Sequence, residues 1–248
     1  MTRVLPAAVQ RPIADSAFSR PLKRVLRGDP SRPRSAETDV RWEDLTFSLT
    51  APYHILHKAR KNGIENRICR LARSILRSGD AAIDVGANYG FVSLVMGRSV
   101  APNGRVISFE INPKIAKVLL KSIQRNGLGD VIQLIDKGAG SRLSHDFVTV
   151  DHILETSHVS RVAFMKIDTD GSDFDVLVGC KRLLENSRPT LVVEMMAHQE
   201  EIHAFLCACG YRCFMDQNGK TVAPGYWPAN LIASGEPVVI PPRDAFRA

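Results

Sequence analysis

Short apolar segments alternate along the chain with longer segments whose apolar residues recur at helical spacing. The short segments are residues 81–84, 105–109, 131–136, 162–168 and 190–194. Between them, apolar residues stand three and four positions apart, as on the buried face of a helix. Strands that alternate with helices predict an α/β fold, with a doubly wound, Rossmann-like sheet and right-handed crossovers. Residues 211–215 and a segment after Gly219 are predicted to complete the sheet in antiparallel fashion.

The N-terminal part of the chain differs in composition from the rest. Residues 1–40 contain five prolines and little periodicity, and residues 1–36 carry eight Lys and Arg against two Asp, so they hold +6 of the formal net charge of +7. We predict a basic, Pro-rich, disordered extension over residues 1–40 and a folded domain over residues 41–248. Because the extension lacks interleaved aromatic residues, no nucleic-acid partner is predicted. The alternatives for this extension are an organelle transit peptide, or contact with nucleic acid or with an acidic membrane.

The chain shows no sequence signal for a membrane span or a metal site. No run of 18 or more apolar residues occurs, and the N-terminus has no secretory pattern, so a cytoplasmic protein is predicted. The five cysteines include no C-x-x-C pair. We therefore interpret them as free thiols and predict no metal ligands among them.

Residues 64–76 have the pattern of an amphipathic helix beside the first strand of the sheet. Its apolar positions recur at helical spacing, and four arginines fall mainly on the other faces: Arg67, Arg70, Arg73 and Arg77. We interpret these arginines as a solvated face. A role in binding an anionic substrate is the alternative.

A glycine-bearing turn follows the first strand of the predicted sheet. Asp84, Gly86 and Gly90 form a D-x-G-x-x-x-G spacing, after which an apolar helix begins at Phe91. Gly86 lacks a Cβ, so a ligand is able to approach its backbone, and Gly90 allows the helix to pack closely on the sheet. An acid ahead of the loop suits a ligand with an ammonium group, such as S-adenosylmethionine, better than a pyrophosphate. A generic strand-to-helix turn is the alternative.

Two further acids follow the next strands of the predicted sheet. Glu110 follows the strand at 105–109 and is placed to accept the hydroxyls of a ribose, whereas Asp136 would accept the adenine amino group. The alternative for Glu110 is that it caps the helix that starts at Pro113. Tyr89 is expected to line the donor pocket. The predicted donor-binding residues are Asp84, Gly86, Ala87, Asn88, Tyr89, Gly90, Glu110 and Asp136.

These segments resemble the FkbM family of S-adenosylmethionine-dependent methyltransferases. The motifs that carry the resemblance lie at residues 84–90, 109–113, 149–154, 166–173 and 191–194, and the resemblance covers roughly residues 64–235. It implies a class I methyltransferase fold, with a seven-stranded, mostly parallel sheet and an antiparallel C-terminal strand. It also implies an O-methyltransferase that acts on a hydroxyl of a sugar, glycolipid or polyketide-like acceptor.

The predicted catalytic residues lie around the end of the fourth strand. Asp168 is a candidate base because it ends that strand beside the donor crevice, and Asp170 and Asp173 follow within five residues. Lys166 shares a strand face with Asp168, so it would hold the carboxylate ionised or contact the acceptor oxygen. A structural ion pair of Lys166, with Asp173 capping the next helix, is the alternative.

Two departures from the family pattern bear on activity. The family usually has glutamates where this chain has Asp170 and Asp173, and similar proteins have a longer segment in place of residues 138–148. Because that segment normally forms part of the acceptor wall, a donor-binding but non-catalytic scaffold or regulatory protein is the alternative function. A nicotinamide oxidoreductase ranks below both, because the chain lacks G-x-G-x-x-G.

Overall fold

A seven-stranded sheet with helices on both faces carries the fold. The structure is a computed structural model, and it describes residues 35–223, 225–243 and 245–246. Most of the predicted extension, residues 1–34, lies outside these ranges. In chain order the elements are β1 (Ser35–Trp42), β2 (Leu45–Pro52), α1 (Tyr53–Asn62), α2 (Asn66–Ile75), β3 (Ala81–Val85), α3 (Phe91–Val100), β4 (Arg105–Phe109), α4 (Pro113–Arg125), β5 (Ile132–Ile135), β6 (Gly138–Ala139), β7 (Phe147–Val148), α5 (Val150–Thr156), β8 (Phe164–Ile167), α6 (Asp173–Gly179), α7 (Lys181–Asn186), β9 (Thr190–Glu194), α8 (Gln199–Ala208), β10 (Cys213–Asp216) and β11 (Asn230–Ser234).

The strand order of the large sheet is β10-β11-β9-β8-β3-β4-β5. Strands β5, β4, β3, β8 and β9 are parallel, whereas β11 runs antiparallel to both β9 and β10. The predicted doubly wound, Rossmann-like sheet with an antiparallel C-terminal strand is thus confirmed. The order reverses between β3 and β8, and in open α/β sheets the ligand crevice lies at the carboxyl ends of the strands at such a point.

Alternate side chains of the parallel strands serve two separate cores. One face carries Ala82 and Phe164 and packs with apolar residues of α2, α3 and α4, for example Leu94. The other face carries Ile83 and Met165 and packs with residues from α5 to α8. Because both faces of the sheet are covered, its strands are apolar along their whole length, which is why they appear as short apolar runs in the sequence.

The N-terminal hairpin of β1 and β2 extends the domain beyond its predicted boundary. We predicted that the fold begins at residue 41, but β1 begins at Ser35 and pairs along its length with β2. The hairpin docks on α4, where Asn126 accepts the N–H of Ser48 and donates to its carbonyl, and Ser122 Oγ accepts the N–H of Thr50. The hairpin is therefore a fixed part of the core.

The arginines of α2 differ from the predicted solvated face. Arg70 is buried, and its Nε lies 2.5 Å from Glu43 Oε1. Arg73 Nη1 lies 2.5 Å from Asp44 Oδ1. Both acids belong to the β1–β2 turn, which the sequence pattern did not place against α2. These two arginines are therefore structural, because they hold the hairpin turn on the helix.

Two smaller features complete the description of the fold. The segment between β8 and β9, with apolar residues at helical spacing, forms two helices, α6 and α7, which meet at Cys180. Gly179, at this junction, has low helix propensity and lies so close to Gly140 that a Cβ would approach the Gly140 carbonyl oxygen to 1.9 Å. Among the described residues, no helix is long and apolar enough to cross a membrane.

Candidate active site

The glycine loop after β3 is fastened to the neighbouring strand ends. The N–H groups of Gly86 and Ala87 donate to the Phe109 carbonyl at 3.1 and 2.9 Å. Gly86 has φ +78°, and a Cβ there would lie 1.8 Å from the Asp168 carbonyl oxygen. The glycine is thus required by the approach of the chain after β8, whereas the sequence argument assigned the requirement to a ligand. At Gly90 a Cβ would lie 2.2 Å from Leu119 Cδ1 of α4, so this glycine allows helix packing.

Glu110 connects the ends of β3, β4 and β5. Its Oε2 accepts the N–H of Asn88 at 2.9 Å, and its Oε1 accepts the N–H of Asn112 at 2.8 Å. The side chain of Asn112 itself caps α4, so the alternative that Glu110 caps this helix is wrong. The Glu110 N–H donates to the Ile135 carbonyl at 3.1 Å, which brings exposed Asp136 to the same edge. The predicted donor-binding residues therefore lie at one edge of the sheet: those of the loop at 86–90, together with Glu110 and Asp136.

A buried lysine lies between three carboxylates at the carboxyl ends of β3 and β8. Lys166 Nζ is 3.1 Å from Asp168 Oδ2, 3.5 Å from Glu65 Oε2 and 3.8 Å from Asp84 Oδ1. Burial by itself would lower the pKa of Lys166, but the three carboxylates outweigh it and raise the pKa above its ordinary value. The lysine therefore stays protonated. We call Lys166, Glu65, Asp84 and Asp168 the lysine cluster.

Asp84 is the most enclosed member of the lysine cluster. It is fully buried, and its Oδ2 accepts a hydrogen bond from Ser93 Oγ at 2.5 Å. Burial raises the pKa of Asp84, whereas Lys166 and the Ser93 hydroxyl oppose this rise. The structure therefore gives Asp84 internal partners on both sides, one on α3 and one on β8.

Asp168 faces a second acid, Glu194, at the end of β9. Burial is the largest cause that raises the pKa of Glu194, to about 7, and the charge of Asp168 and a hydrogen bond with its carboxyl group add to it. Two neighbouring carboxylates repel each other when both are ionised, which favours the protonated form of Glu194. We call Asp168 and Glu194 the carboxylate pair.

The other two predicted catalytic acids lie differently. Asp173 is buried, and its Oδ1 accepts the N–H and the hydroxyl of Thr169 at 3.0 and 2.9 Å. Burial raises the pKa of Asp173, and the two bonds from Thr169 oppose the rise. Asp170 is exposed with φ +53°, at the bend of the same loop. Asp173 thus holds the loop that carries Asp168, whereas Asp170 is exposed to solvent in that loop.

Two residues of the site were not among the predicted site residues. Glu194 ends β9 as Asp168 follows β8, so the rule that selected Asp168 would also have selected Glu194. Glu65 immediately precedes α2, with φ +48°, and reaches Lys166 from far along the sequence. No local pattern marks such a contact, because it depends on how α2 packs over the sheet.

The site has the charge and a free acceptor atom that suit a cationic ligand. Three carboxylates, those of Glu65, Asp84 and Asp168, face the ammonium of Lys166, and the fourth, Glu194, lies against Asp168. Within the described residues, Glu194 Oε2 is buried without a hydrogen-bond partner, whereas the buried Glu65 Oε2 and Asp84 Oδ1 face the Lys166 ammonium at 3.5 and 3.8 Å. Buried oxygens of this kind are costly unless a donor reaches them. No group of three or more His, Cys, Asp and Glu in the described ranges could hold a metal ion.

Comparisons with known proteins agree with the motifs. The model of the Methyltransferase FkbM domain matches residues 143–213. A 57-residue stretch is 32% identical to the tRNA (adenine(57)-N(1)/adenine(58)-N(1))-methyltransferase TrmI of Methanocaldococcus jannaschii, covering 23% of this chain and 20% of that protein. A 68-residue stretch is 31% identical to the catechol O-methyltransferase of Mycobacterium tuberculosis, covering 27% of this chain and 30% of that protein. The chain thus matches less than a third of the length of either relative.

Among solved structures, the methyltransferase FkbM from Methylobacillus flagellatus KT superposes with a TM-score of 0.48 at 16% identity, over 65% of this chain and 49% of that chain. The family match covers β7, α5, β8, α6, α7, β9 and α8, which include the carboxylate pair and Lys166. Residues 143–213 are thus similar to the Methyltransferase FkbM domain, the same family that the sequence motifs resemble.

Proposed function

We propose that this protein is an S-adenosylmethionine-dependent O-methyltransferase that acts on a hydroxyl of a small molecule or glycan. The observation that carries the proposal is the carboxylate pair, which provides a base with a pKa of about 7 beside the glycine loop. Two further observations support the proposal. The family model matches residues 143–213, and the residues that the mechanism uses lie at the carboxyl ends of the parallel strands.

The residues present fit the donor. When bound, S-adenosylmethionine supplies a methyl group on a positively charged sulfur. The loop at 86–90, Glu110 and Asp136 would hold its nucleoside, and the carboxylates of the lysine cluster would attract its ammonium group. The excess of carboxylates over Lys166 favours a cation at this edge. Asp84 contributes through this field and through the position in which it holds Lys166.

Glu194 is the proposed base. An alcohol becomes a useful nucleophile when a positioned base takes its proton during attack. With a pKa of about 7, the ionised form of Glu194 is well populated at neutral pH and is still basic enough to accept that proton. Asp168 lies 3.1 Å from Lys166, and the charge of Asp168 helps to raise the pKa of Glu194. Asp168 is therefore proposed to act as the partner that tunes the base.

Donor binding is the first test. Titration calorimetry of the full chain with S-adenosylmethionine should give binding that Glu110→Ala weakens about tenfold or more, because a charged acceptor contributes ~1.5–3 kcal/mol. Asp130→Ala is the matched control, because Asp130 is an exposed acid outside the site. If millimolar donor gives neither heat nor a shift in melting temperature, the proposed function is wrong.

Turnover is the second test. A panel of sugars, glycolipids and polyketide-like alcohols is incubated with the donor, and methylated products are detected by mass spectrometry. Glu194→Gln should lower the rate by about 10²–10⁴, the usual contribution of a general base. Donor binding without turnover on the whole panel would support the non-catalytic scaffold in place of the enzyme.

A further inference from the structure

A cleft of about 910 Å³ opens between the N-terminal hairpin, the helices α1 and α2, and the C-terminal segment. This volume lies within the range of small-molecule sites, ~300–1,000 Å³. Six basic side chains line the cleft: Arg41, Arg60, Lys61, Arg67, Arg70 and Arg243. A concave surface lined by one sign of charge concentrates the field inside it, and here that field is positive.

The acids that line the cleft do not cancel this charge. Glu43 is matched by Arg70, whose Nε lies 2.5 Å from Glu43 Oε1. Glu65 turns inward, with its Oε2 3.5 Å from Lys166 Nζ. Within the described ranges, no ion pair engages the five remaining basic residues, all of which are exposed: Arg41, Arg60, Lys61, Arg67 and Arg243. The cleft therefore carries a net positive charge that the protein itself leaves unmatched.

The cleft adjoins the proposed catalytic groups at two points. Glu65 lines the cleft and also contacts Lys166, which contacts Asp168. Asn230, which also lines the cleft, pairs with Glu194 in the register of β11 and β9. A ligand seated in the cleft thus reaches the edge of the sheet at which the carboxylate pair lies. The short segment 138–148 is on the other face, against α6, where Gly140 touches Gly179.

We propose that this basic cleft binds the phosphate or diphosphate group of the methyl acceptor, so that the acceptor is a phosphorylated small molecule. Guanidinium groups match phosphate oxygens with paired hydrogen bonds, and four of the five unmatched cations are arginines. Anchoring a multiply charged group in the cleft would leave the hydroxyl-bearing part of the acceptor at the carboxylate pair. The cleft then supplies the acceptor wall that the short segment 138–148 does not provide. The inference rests on the proposed function.

Binding of inorganic diphosphate to the full chain tests the inference. At fixed ionic strength, calorimetry should show saturable diphosphate binding that the double variant Arg60→Gln/Arg67→Gln weakens at least tenfold. Arg98→Gln, at an exposed arginine of α3 outside the cleft, is the control for loss of charge and should change the affinity less than twofold. Citrate at equal charge and a single-stranded RNA decamer are titrated alongside, and S-adenosylmethionine is titrated into each variant.

The outcomes separate this inference from the proposed function. Diphosphate binding lost in the double variant, with donor binding retained, supports the cleft as the phosphate site. Donor binding without diphosphate binding, or equal effects of the double variant and Arg98→Gln, overturns the inference and leaves the proposed function intact. Diphosphate binding without donor binding supports the phosphate site and refutes the proposed function. If citrate or the RNA decamer binds at least tenfold more tightly than diphosphate, the inference of a phosphate site is overturned in favour of a carboxylated or a polynucleotide ligand.

Discussion

Lys166→Met should destabilise the fold far more than its single charge suggests. The variant keeps a long side chain in place but removes the ammonium between Glu65, Asp84 and Asp168. Breaking a buried ion pair by deleting one partner costs ~3–5 kcal/mol, because the remaining charge is left uncompensated. For a domain of this size, ~2–4 °C of melting temperature corresponds to each kcal/mol, so we expect a decrease of ~6–20 °C near pH 8.

The pH dependence of this loss identifies its cause. Wild-type Lys166 has a raised pKa, so its contribution to stability is present throughout pH 5–8. In the variant, Asp84 and Glu65 lose the lysine that opposes their burial, and the pKa values of both acids rise further. A folded state that binds more protons than the unfolded chain loses stability as pH rises above the unfolded pKa. The penalty of Lys166→Met should therefore grow from pH 5 to pH 8.

Urea melts of the wild type and two variants at pH 5, 6.5 and 8 measure this effect. Lys117→Met is the matched control, because Lys117 is an exposed lysine of α4 and the substitution removes the same charge. The control should change the free energy of unfolding by less than about 0.5 kcal/mol. Equal penalties for Lys166→Met at all three pH values, or a penalty no larger than that of the control, would refute the lysine cluster as a set of ionised, mutually dependent groups.

Three further predictions concern the same architecture. The folded pKa of Glu194, about 7, lies above its ordinary value of 4.5. In urea melts, the wild type should therefore lose stability relative to Glu194→Gln as the pH rises from 4.5 to about 7. Parallel stability curves for the two proteins would contradict this prediction. Gly86→Ala should lower the stability measured by thermal unfolding by ~2 kcal/mol or more, because the added Cβ meets the Asp168 carbonyl. Gly79→Ala has a similar positive φ but no atom near the added Cβ, so it should cost only ~1 kcal/mol. Equal losses of stability would contradict the contact with Asp168. Asn126→Ala removes two hydrogen bonds to Ser48 of the hairpin and one to the Ser122 carbonyl of α4, so it should cost ~1–3 kcal/mol and speed amide exchange in β2. Unchanged exchange there would show that the hairpin docks by other contacts.

Local patterns predicted the sheet because its strands are buried on both faces. The segments at 105–109 and 190–194 were predicted with the bounds that β4 and β9 have. Gly86 was correctly selected as a special position, but for a ligand contact, because the sequence does not show that the chain after β8 crosses above it. Turn glycines are visible in a sequence, whereas the neighbour that requires them is not.

Contacts between distant segments were beyond the sequence patterns. The arginines of α2 were read as solvated because the acids that bind Arg70 and Arg73 lie in a turn outside the predicted helix. Glu65 was missed for the same reason, since its partner Lys166 belongs to a strand formed much later in the chain. The catalytic prediction reached Asp168 through its strand-end position, and the same rule applied once more would have reached Glu194.

The basic cleft is assembled from opposite ends of the polypeptide. One wall comes from Arg41, at the end of the first strand, and another from residues 240–243, after the last strand. Ile240 and Val238 also pack against the core beneath the hairpin. Closing such a span costs chain entropy that local contacts do not repay until the sheet is complete. Removal of residues 240–248 would therefore take away one wall of the cleft. Under the proposed function, such a shortened protein should still bind S-adenosylmethionine but should lose the proposed phosphate site.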